Sequence, residues 1–393
     1  MRILTVHNKY LFRGGEDTLR EAEDALLQRN GHFVDCYVKD NSEVGKVGLL
    51  RTGIKAIWSD EAYRAVRRKV RDGKIDVLYC HNLLPLISPS VYYAAKAERA
   101  AVVQMLGNYR LICPNGFMFR DGAICEDCVG KFVPYPSIKH ACYRGSKLGA
   151  GVVSSMLSVH RMIQTYRQKV DLYIAVSNFV KSKIVESDLL PEEKIIVKPN
   201  FVGTDYGMAD GAGGFALFVG RLSPEKGLMT LLKAWEKMPS SARLKIVGKG
   251  ALENEVKRAA EENPNVEWLG EKPAAEVAEL MGKAAFLVFP SEWYEAFGLV
   301  CIEAFARGTP VIGAKIGAIA ELIEHERTGL HFEPQNADDL AAKAEWMLTN
   351  SQKTRRMRVE ARREYEAKYT AQANYPILMN VYERAVQMAR AGN

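Results

Sequence analysis

The sequence lacks any apolar run of the roughly twenty residues that a membrane-spanning helix needs. It also lacks the features of a secretory signal peptide. Residues 1–7 have no long apolar stretch and no small-residue cleavage site, and their pattern is that of a first strand. We therefore expect a cytoplasmic protein, either free or bound peripherally to the inner face of the plasma membrane.

Short-period repeats and low-complexity segments are absent as well. The chain has 393 residues, which is too long for one ordinary core and suits two domains of α/β size. Because 48% of the residues are hydrophobic, the composition is that of a globular protein.

The formal net charge of +7 is unevenly spread. Through residue 200 there are 30 Lys and Arg against 21 Asp and Glu, and the remainder has 24 against 26. The basic half suits an anionic partner, either an acidic membrane surface or a phosphate-bearing acceptor. No nucleic-acid-binding module is recognisable, so we do not expect a nucleic-acid partner.

Two helical segments of this half are candidates for membrane contact. Residues 64–71 are the densest basic patch, which is either a membrane contact or a solvated helix face. Residues 146–163 have an apolar face and basic ends, and this face either lies on a membrane or, as is more usual, packs inside the protein.

Apolar stretches of strand length alternate with helical stretches along the whole chain. This pattern predicts an α/β protein with two Rossmann-like, doubly wound parallel sheets facing a cleft, in which ligands bind at the carboxyl ends of the strands. The strand candidates are residues 2–7, 33–38, 76–80, 100–106, 171–176, 194–198, 215–220, 244–248, 266–269, 285–290 and 310–313.

Residues 199–214 are rich in glycine and have no periodicity, so we interpret them as the linker between two domains. The predicted domains are residues 1–199 and 200–373. The remaining residues, 374–393, have a helical pattern.

Two glutamates bracket the predicted strand-to-helix turn at residues 291–304. The first N–H groups of a helix have no partner within it and can bind an anion such as a diphosphate, and Gly298 lets the backbone approach closely. Glu295 and Glu303 lie on either side of this position, where they can accept hydrogen bonds from sugar hydroxyls. The pattern favours a nucleotide-sugar site, although both glutamates can also be ordinary carboxylates of a surface helix.

Two cations precede a second helix start. Arg221 and Lys226 lie between a strand candidate and a helical stretch, where fixed positive charges can stabilise a leaving diphosphate without a metal. The alternative is an ordinary loop with basic surface residues. Gly248 lies in a glycine turn after the next strand, which is weak evidence by itself.

These motifs resemble those of retaining glycosyltransferases with two Rossmann-like domains, the GT-B type, and of family 4 in particular. The resemblance rests on the spacing of Glu295 and Glu303 and on the Gly-Arg-Leu-x-x-x-Lys-Gly element that contains Arg221 and Lys226. It implies a retaining hexosyltransferase that moves a sugar from a nucleotide-diphosphate donor to a saccharide acceptor, lipid-linked in exopolysaccharide or envelope synthesis. No catalytic metal is expected.

The resemblance also implies roles for single residues. Arg221 and Lys226 would bind the donor phosphates, Glu295 the donor sugar and Glu303 the ribose. The nucleotide and its phosphates would contact Gly248 and the backbone of Phe297, Gly298, Leu299 and Val300. The first domain would bind the acceptor, and residues 374–393 would pack back on it.

Three sites of the first half bear on this interpretation: two support it, and the third departs from the family pattern. Gly14 and Gly15, in a loop that begins at Arg13, can present N–H groups to a phosphate or acceptor. His81 ends a strand, where it would either face the cleft as a catalytic group or be a hydrogen-bonded structural residue. Gly107 stands where the family has a histidine in the donor-sugar site, so we expect weakened transfer or compensation by His81 or Asn108.

Four cysteines occupy an irregular, glycine-containing and proline-containing stretch. Cys113, Cys125, Cys128 and Cys142 have a spacing that can form a tetrahedral structural zinc site, although reduced thiols or an adventitious disulfide fit the spacing too.

Two other functions remain open. A nucleotide-sugar epimerase would turn over the donor without an acceptor. A catalytically weakened sugar-nucleotide binder, to which Gly107 points, would bind the donor without transferring the sugar.

Overall fold

The computed structural model describes residues 1–11, 14–44 and 49–391, and of Leu49 and Leu50 only the backbone. The chain forms two compact units. The first consists of Met1–Met118, Glu126–Pro199 and Asn374–Asn393, and the second of Phe119–Cys125 and Asn200–Ala373. Among the described helices, none has both the length and the apolar character that a membrane span requires.

The first unit is built on a parallel sheet of six strands. Labelled in chain order, its strands are β1 (Arg2–Lys9), β2 (Phe33–Asp40), β3 (Val77–Cys80), β4 (Ala101–Leu106), β7 (Leu172–Ala175) and β8 (Ile195–Val197). They lie in the order β2-β1-β3-β4-β7-β8. The chain moves outward from β1 to β2 and then returns to the other side of β1 with β3, so the order of the strands reverses between β1 and β3.

Helices connect these strands and cover the sheet, because parallel strands need crossover connections. Several helices begin after a serine that caps the first turn: the hydroxyls of Ser59, Ser146 and Ser177 accept N–H groups at 3.3, 3.0 and 3.1 Å. The helices are Gly15–Arg29, Leu49–Ile57, Asp60–Gly73, Ser90–Ala97, Tyr135–Lys139, Lys147–Met162, Thr165–Gln168, Asn178–Glu186 and, at the end of the chain, Ala371–Ala391.

The second unit has a second parallel sheet of six strands. Its strands are β9 (Phe215–Val219), β10 (Arg243–Val247), β11 (Val266–Trp268), β12 (Phe286–Phe289), β13 (Val311–Ala314) and β14 (Gly329–Phe332). The order is β11-β10-β9-β12-β13-β14, which is the strand order of a dinucleotide-binding Rossmann sheet. The order reverses between β9 and β12.

The helices of this unit alternate with its strands in the same way. They are Leu228–Trp235, Glu253–Glu262, Ala274–Lys283, Leu299–Ala306, Gly317–Leu322, Ala337–Thr349 and Ser351–Lys368. An apolar core lies between sheet and helices, and Phe218, Trp235, Ile246, Phe286 and Ile312 are among its buried residues.

The α/β prediction with two doubly wound parallel sheets is confirmed, and all eleven predicted strands are present within a few residues of their expected bounds. The sequence did not indicate β14, a four-residue edge strand that contains a histidine. It also did not indicate the short hairpin of β5 (Phe119–Arg120) and β6 (Ala123–Ile124).

The glycine-rich stretch between β8 and β9 has no regular structure, yet it is tightly held by the second unit. Arg362 binds both carboxylate oxygens of Asp205 at 2.8 Å, and Arg358 donates to the carbonyl of Ala209 at 2.9 Å. From residue 200 onward the predicted linker is therefore a fixed part of that unit.

Helix Ala371–Ala391 is fastened to the first unit by a buried ion pair. The Lys198 ammonium lies 2.7 Å from a carboxylate oxygen of Glu23, and neither side chain has exposed surface. The same ammonium donates to Oδ1 of Asn374 at 2.9 Å, and Tyr79 donates its hydroxyl to Glu23 at 3.0 Å. This network joins the last helix to β3, to Lys198 directly after β8, and to helix Gly15–Arg29.

Candidate functional site

The loops after β9 and β12 meet where the strand order of the second sheet reverses. Gly227 makes this approach possible, because its backbone is left-handed (φ +68°) and a Cβ there would lie 1.8 Å from the carbonyl oxygen of Pro290. The N–H of Glu292 donates to the carbonyl of Glu225 at 2.9 Å. The two loops are therefore joined backbone to backbone at the position where open α/β sheets bind ligands.

At this junction Lys226 is paired with Glu295. The ammonium lies 2.5 Å from Oε1 of Glu295, and the Ser291 hydroxyl donates to the same oxygen at 2.8 Å. The ammonium is also 5.4 Å from the ring centroid of Trp293. Both partners are largely shielded, with side-chain exposures of 19% for Lys226 and 9% for Glu295, so each charge offsets the other in partly desolvated surroundings.

Arg221 does not share this pair. Its guanidinium donates to Oε1 of Glu225 at 2.8 Å, and the Ser223 hydroxyl donates to the same oxygen at 2.7 Å. Because 55% of its side chain is exposed, Arg221 can turn toward another anion at small cost. The structure thus brings Lys226 and Glu295 together and gives Arg221 a separate carboxylate.

Helix Leu299–Ala306 begins directly after this loop. Gly298 precedes it with φ +119°, and a Cβ there would lie 2.7 Å from the ring of Phe289, so glycine is needed for the turn. Phe297 is buried and anchors the turn, while Leu299 and Val300 contribute the first N–H groups of the helix, which have no acceptor within it.

Glu303 lies on the exposed face of the same helix. Desolvation by the surrounding protein nevertheless raises the pKa of its carboxyl. Glu295 and Glu303 therefore differ in setting, since the first is an ion-paired, shielded carboxylate and the second an accessible one.

Gly248 lies at the end of β10 and packs on the loop after β9. Its φ is +141°, and a Cβ there would lie 1.9 Å from the carbonyl oxygen of Gly220. The Trp268 indole donates to the Gly248 carbonyl at 3.0 Å, which makes Trp268 a support of this turn. The loops after β9, β10 and β12 thus lie at one edge of the sheet.

A cluster of three hydrogen-bonded polar residues beside this edge was not indicated by the sequence. Thr230 donates its hydroxyl to Glu292 at 2.5 Å, and Gln335 donates to the other oxygen of Glu292 at 3.3 Å. The three residues come from three separate elements. The only signal available was the position of Glu292 within the acidic strand-to-helix turn.

In the first unit, a buried carboxylate of helix Gly15–Arg29 binds the end of the loop after β1. Arg13 lies outside the described residues, and the N–H of Gly14 donates to Asp17 at 2.9 Å, while helix Gly15–Arg29 begins at Gly15. We predicted that both glycines offer their N–H groups to a ligand. The N–H of Gly14 is already bonded within the protein.

Glu16 occupies the space beside Gly107. A Cβ at Gly107 would lie 3.5 Å from the carboxyl carbon of Glu16. Tyr10 donates its hydroxyl to Glu16 at 2.7 Å, and Asn108 donates to the Tyr10 oxygen at 3.3 Å. A carboxylate with two polar neighbours thus lies where the sequence led us to expect a histidine.

His81 is not at an exposed strand tip, which corrects the prediction of a cleft-facing catalytic group. None of its side-chain surface is exposed, and burial lowers its pKa well below the ordinary value, so the imidazole is neutral. Neither ring nitrogen has a hydrogen-bond partner among the described residues. All four residues of strand β3 are buried, and His81, which follows the strand directly, is buried with them.

The four cysteines of the predicted zinc site do not lie in a recognisable metal geometry. Within the described ranges, no three His, Cys, Asp or Glu side chains are arranged to hold a metal ion, and no disulfide joins the cysteines. Cys113 instead donates to Asn115 at 2.9 Å. The zinc site remains a prediction, to be tested by metal analysis of the purified protein.

The second unit matches a known family. Residues 209–364 match the model of the family described as glycosyl transferases group 1. An uncharacterized glycosyltransferase of Methanocaldococcus jannaschii is 31% identical over 215 residues, which is 54% of this chain and 59% of that protein. An uncharacterized protein of the cps region of Klebsiella pneumoniae is 28% identical over 64% of this chain and 61% of its own length. The chain thus spans about three fifths of these two relatives.

A solved structure agrees with the fold over the whole chain. The HepE protein of Anabaena, crystallised in complex with UDP, superposes with a TM-score of 0.71 over 98% of this chain and 100% of its own, at 19% identity. Residues 209–364 are thus similar to the group 1 glycosyl transferases, and the two six-stranded parallel sheets have the GT-B fold.

Proposed function

We propose that this protein is a retaining glycosyltransferase of the family 4 type, which moves a sugar from a nucleotide-diphosphate donor to a hydroxyl group of a saccharide acceptor. The observation that carries the proposal is the Lys226–Glu295 pair, 2.5 Å apart where the strand order reverses between β9 and β12. The family match of the second unit supports it.

The donor would bind to the second unit. Its diphosphate would lie at the first N–H groups of helix Leu299–Ala306, where the helix dipole favours negative charge. Lys226 would move from Glu295 to the phosphate, and Arg221, which is exposed, would turn to the same anion. Glu295 would then accept hydroxyl groups of the sugar, and Glu303 those of the ribose.

The reaction needs no protein nucleophile in this proposal. The bond between the anomeric carbon and the phosphate oxygen breaks, and its electron pair leaves with the diphosphate. The acceptor oxygen forms a bond to the same face of the anomeric carbon, and its proton passes to the departing phosphate. The cations and the helix N-terminus would stabilise the charge that develops on the leaving group.

The acceptor would bind to the basic first unit. A lipid-linked saccharide of polysaccharide or envelope synthesis is the acceptor class we favour, because that unit suits an anionic, phosphate-bearing partner. The relative from the cps region of Klebsiella supports the same assignment. A protein with this role would contact the inner face of the plasma membrane peripherally.

Substitution of the paired residues tests the proposal. We expect Lys226→Ala and Glu295→Ala each to reduce turnover about a hundredfold or more, which is the scale of losing one charge-stabilising group. The measurement is product formation by mass spectrometry, after a thermal-shift screen of uridine, guanosine and adenosine diphosphate sugars. Lys283→Ala and Glu279→Ala remove an exposed ion pair of the same unit and serve as matched controls. Near-normal turnover by both site variants would refute the assignment.

Gly107 keeps a second candidate open, a sugar-nucleotide binder with little transfer. A Cβ at this position makes only ordinary van der Waals contact with Glu16, so the first side-chain atom of Gly107→His causes no collision. The weakened binder predicts donor binding without transfer even in Gly107→His. An epimerase, by contrast, would convert the donor without any acceptor, which the same product analysis detects.

A further inference from the structure

One continuous part of the first unit is basic throughout. Residues 128–170 contain seven Lys and Arg and no Asp or Glu. The basic helix Asp60–Gly73, by contrast, is largely neutralised by carboxylates: Arg64, Arg67 and Lys69 each lie 2.7 Å from one. The segment from 128 to 170 therefore carries seven positive charges and no carboxylate of its own.

The same segment exposes large apolar side chains. Of the sixteen large apolar residues that are exposed in the described part of the chain, six lie between positions 132 and 163. These six exposed residues are Phe132, Val133, Tyr135, Leu148, Met162 and Ile163. Phe132 and Met162 have relative exposures of 55% and 65%, although neither is needed to fill the core. Such a concentration of exposed apolar surface marks an interaction site.

Five of these six side chains are held on one local surface. The Arg161 guanidinium binds the carbonyls of Lys131 and Phe132, the latter at 3.0 Å, and that of Leu111 at 2.7 Å. The loop at 131–135 is thereby tied to the end of helix Lys147–Met162. We call this surface, which comprises Lys131–Tyr135 and Arg161–Arg167, the basic apolar face.

A pocket opens beside this face. It has a volume of about 290 Å³, and Lys131, Phe132, Arg161, Gln164 and Arg167 line it. Asp188 is the carboxylate at its rim, and it is paired with Arg167 at 3.2 Å. Cations next to accessible space and exposed apolar side chains form a pattern that suits a phosphate headgroup with acyl chains below it.

The helix itself does not lie flat on a membrane. Its apolar residues Val153, Met156 and Leu157 are buried within the first unit. Its exposed large apolar residues, Leu148 and Met162, lie at its two ends. The helix therefore supports the basic apolar face.

We infer that the basic apolar face docks this protein on an anionic membrane, with Phe132, Met162 and their apolar neighbours inserted at the headgroup boundary and the surrounding cations paired with lipid phosphates. A second copy of the chain is a poorer occupant, because two faces without acidic residues would repel each other. The inference gives a location to the membrane contact in the proposed function, but its test does not require transferase activity.

Vesicle cosedimentation of the full-length protein tests the inference directly. We expect binding to phosphatidylcholine vesicles that contain phosphatidylglycerol, little binding to phosphatidylcholine alone, and weaker binding as salt concentration rises. No binding to either vesicle type, or equal binding to both, would overturn the inference.

Paired variants locate the contact. Phe132→Ser with Met162→Ser should weaken binding about tenfold through lost apolar burial. The control Met388→Ser changes an exposed methionine of helix Ala371–Ala391 in the same unit and should bind normally. Lys131→Gln removes a charge of the face and Lys139→Gln an exposed charge of the same basic segment, and together they should weaken binding about fivefold for each charge removed. Arg64→Gln with Arg68→Gln removes the same charge from the other basic helix and should change binding less than about twofold.

Thermal unfolding must be unchanged in these variants, since the residues are exposed. Equal losses in test and control variants would overturn the location. Sedimentation velocity without vesicles tests whether a second copy of the chain occupies this face instead. A dimer that dissociates in Phe132→Ser would show that it does and would overturn the inference. The vesicle assay contains no donor sugar, so a negative result would not affect the proposed transferase activity. A protein without transferase activity could likewise still bind the vesicles.

Discussion

Two glycines of the second unit have the same left-handed backbone but different surroundings. Gly227 (φ +68°) packs against the Pro290 carbonyl, whereas a Cβ at Gly270 (φ +70°) would meet nothing within 4 Å. A comparison of the two separates the strain of the backbone from the cost of the collision. Lys226 and Glu295 lie at the junction of the loops after β9 and β12. This junction depends on the absence of the collision that a Cβ at position 227 would cause.

We expect Gly270→Ala to lower the free energy of unfolding by about 1 kcal/mol, the scale of placing alanine in the left-handed region. Gly227→Ala should cost about 3 kcal/mol or more, because the backbone of one loop must also move. Denaturant unfolding measures both losses, and donor binding should weaken only in Gly227→Ala. Equal losses in the two variants would contradict the close approach that we describe.

A single buried residue, Asp24, makes the stability of the folded protein depend on pH. Burial raises its pKa from 3.8 to about 6, although it accepts the Thr5 hydroxyl at 2.7 Å and pairs with Arg20. Between these pH values the folded protein keeps a proton that the unfolded chain has released. The contribution of Asp24 to stability is therefore complete below about pH 4 and declines as the pH rises to about 6.

Asp24→Asn should remove this decline, which amounts to about 3 kcal/mol for a shift of this size. The measurement is the free energy of unfolding at several pH values between 4 and 7, compared with wild type. Asp188→Asn, a fully exposed aspartate of the same unit, is the control and should leave the slope unchanged. An unchanged slope in Asp24→Asn would show that another group is responsible.

At the scale of elements, the contact between helix Ala371–Ala391 and the first sheet depends on charges that have no access to water. Lys198 and Glu23 compensate each other at 2.7 Å, and Asn374 binds the same ammonium. Loss of one member would leave the other as an unpaired charge in the interior, which costs more than the pair itself contributes.

We expect Lys198→Met to destabilise the protein by about 3–5 kcal/mol. The double variant Lys198→Met with Glu23→Gln should lose less than Lys198→Met alone, because no charge remains buried. Denaturant unfolding of the two single variants and the double variant gives the coupling energy. Additive losses would show that the two groups do not act as a pair.

At the scale of the whole molecule, the first unit is completed by the end of the chain. Leu378, Val381, Tyr382 and Ala385 are fully buried, and all four belong to the last helix. These residues add to the core of a unit whose sheet ends at β8, long before them in the sequence.

A chain that ends at Ala373 should therefore lose first-unit stability by more than about 5 kcal/mol, given the apolar surface that would be exposed. Hydrogen exchange of backbone amides should show lost protection in β1 and β3, with protection retained in β9 and β12. Uniform loss across both units would contradict the division of the chain that we describe.

Much of this architecture follows from local sequence. The buried parallel strands are short apolar stretches, and the glycines near the site occupy turns between strand and helix, so both were predictable. The Lys226–Glu295 pair joins residues far apart in the chain and became visible only in the fold. The burial of His81 and the approach of Glu16 to Gly107 likewise depend on which strands are neighbours. A residue's position at a strand end does not determine which way its side chain points.

The return of the last helix to the first unit sets an order of events during synthesis. The second unit, apart from residues 119–125, is one continuous stretch from Asn200 to Ala373, so it can fold as it leaves the ribosome. The first unit begins to emerge earlier but lacks part of its interior until helix Ala371–Ala391 has been translated. The portion that is translated first is therefore the last to reach its native state.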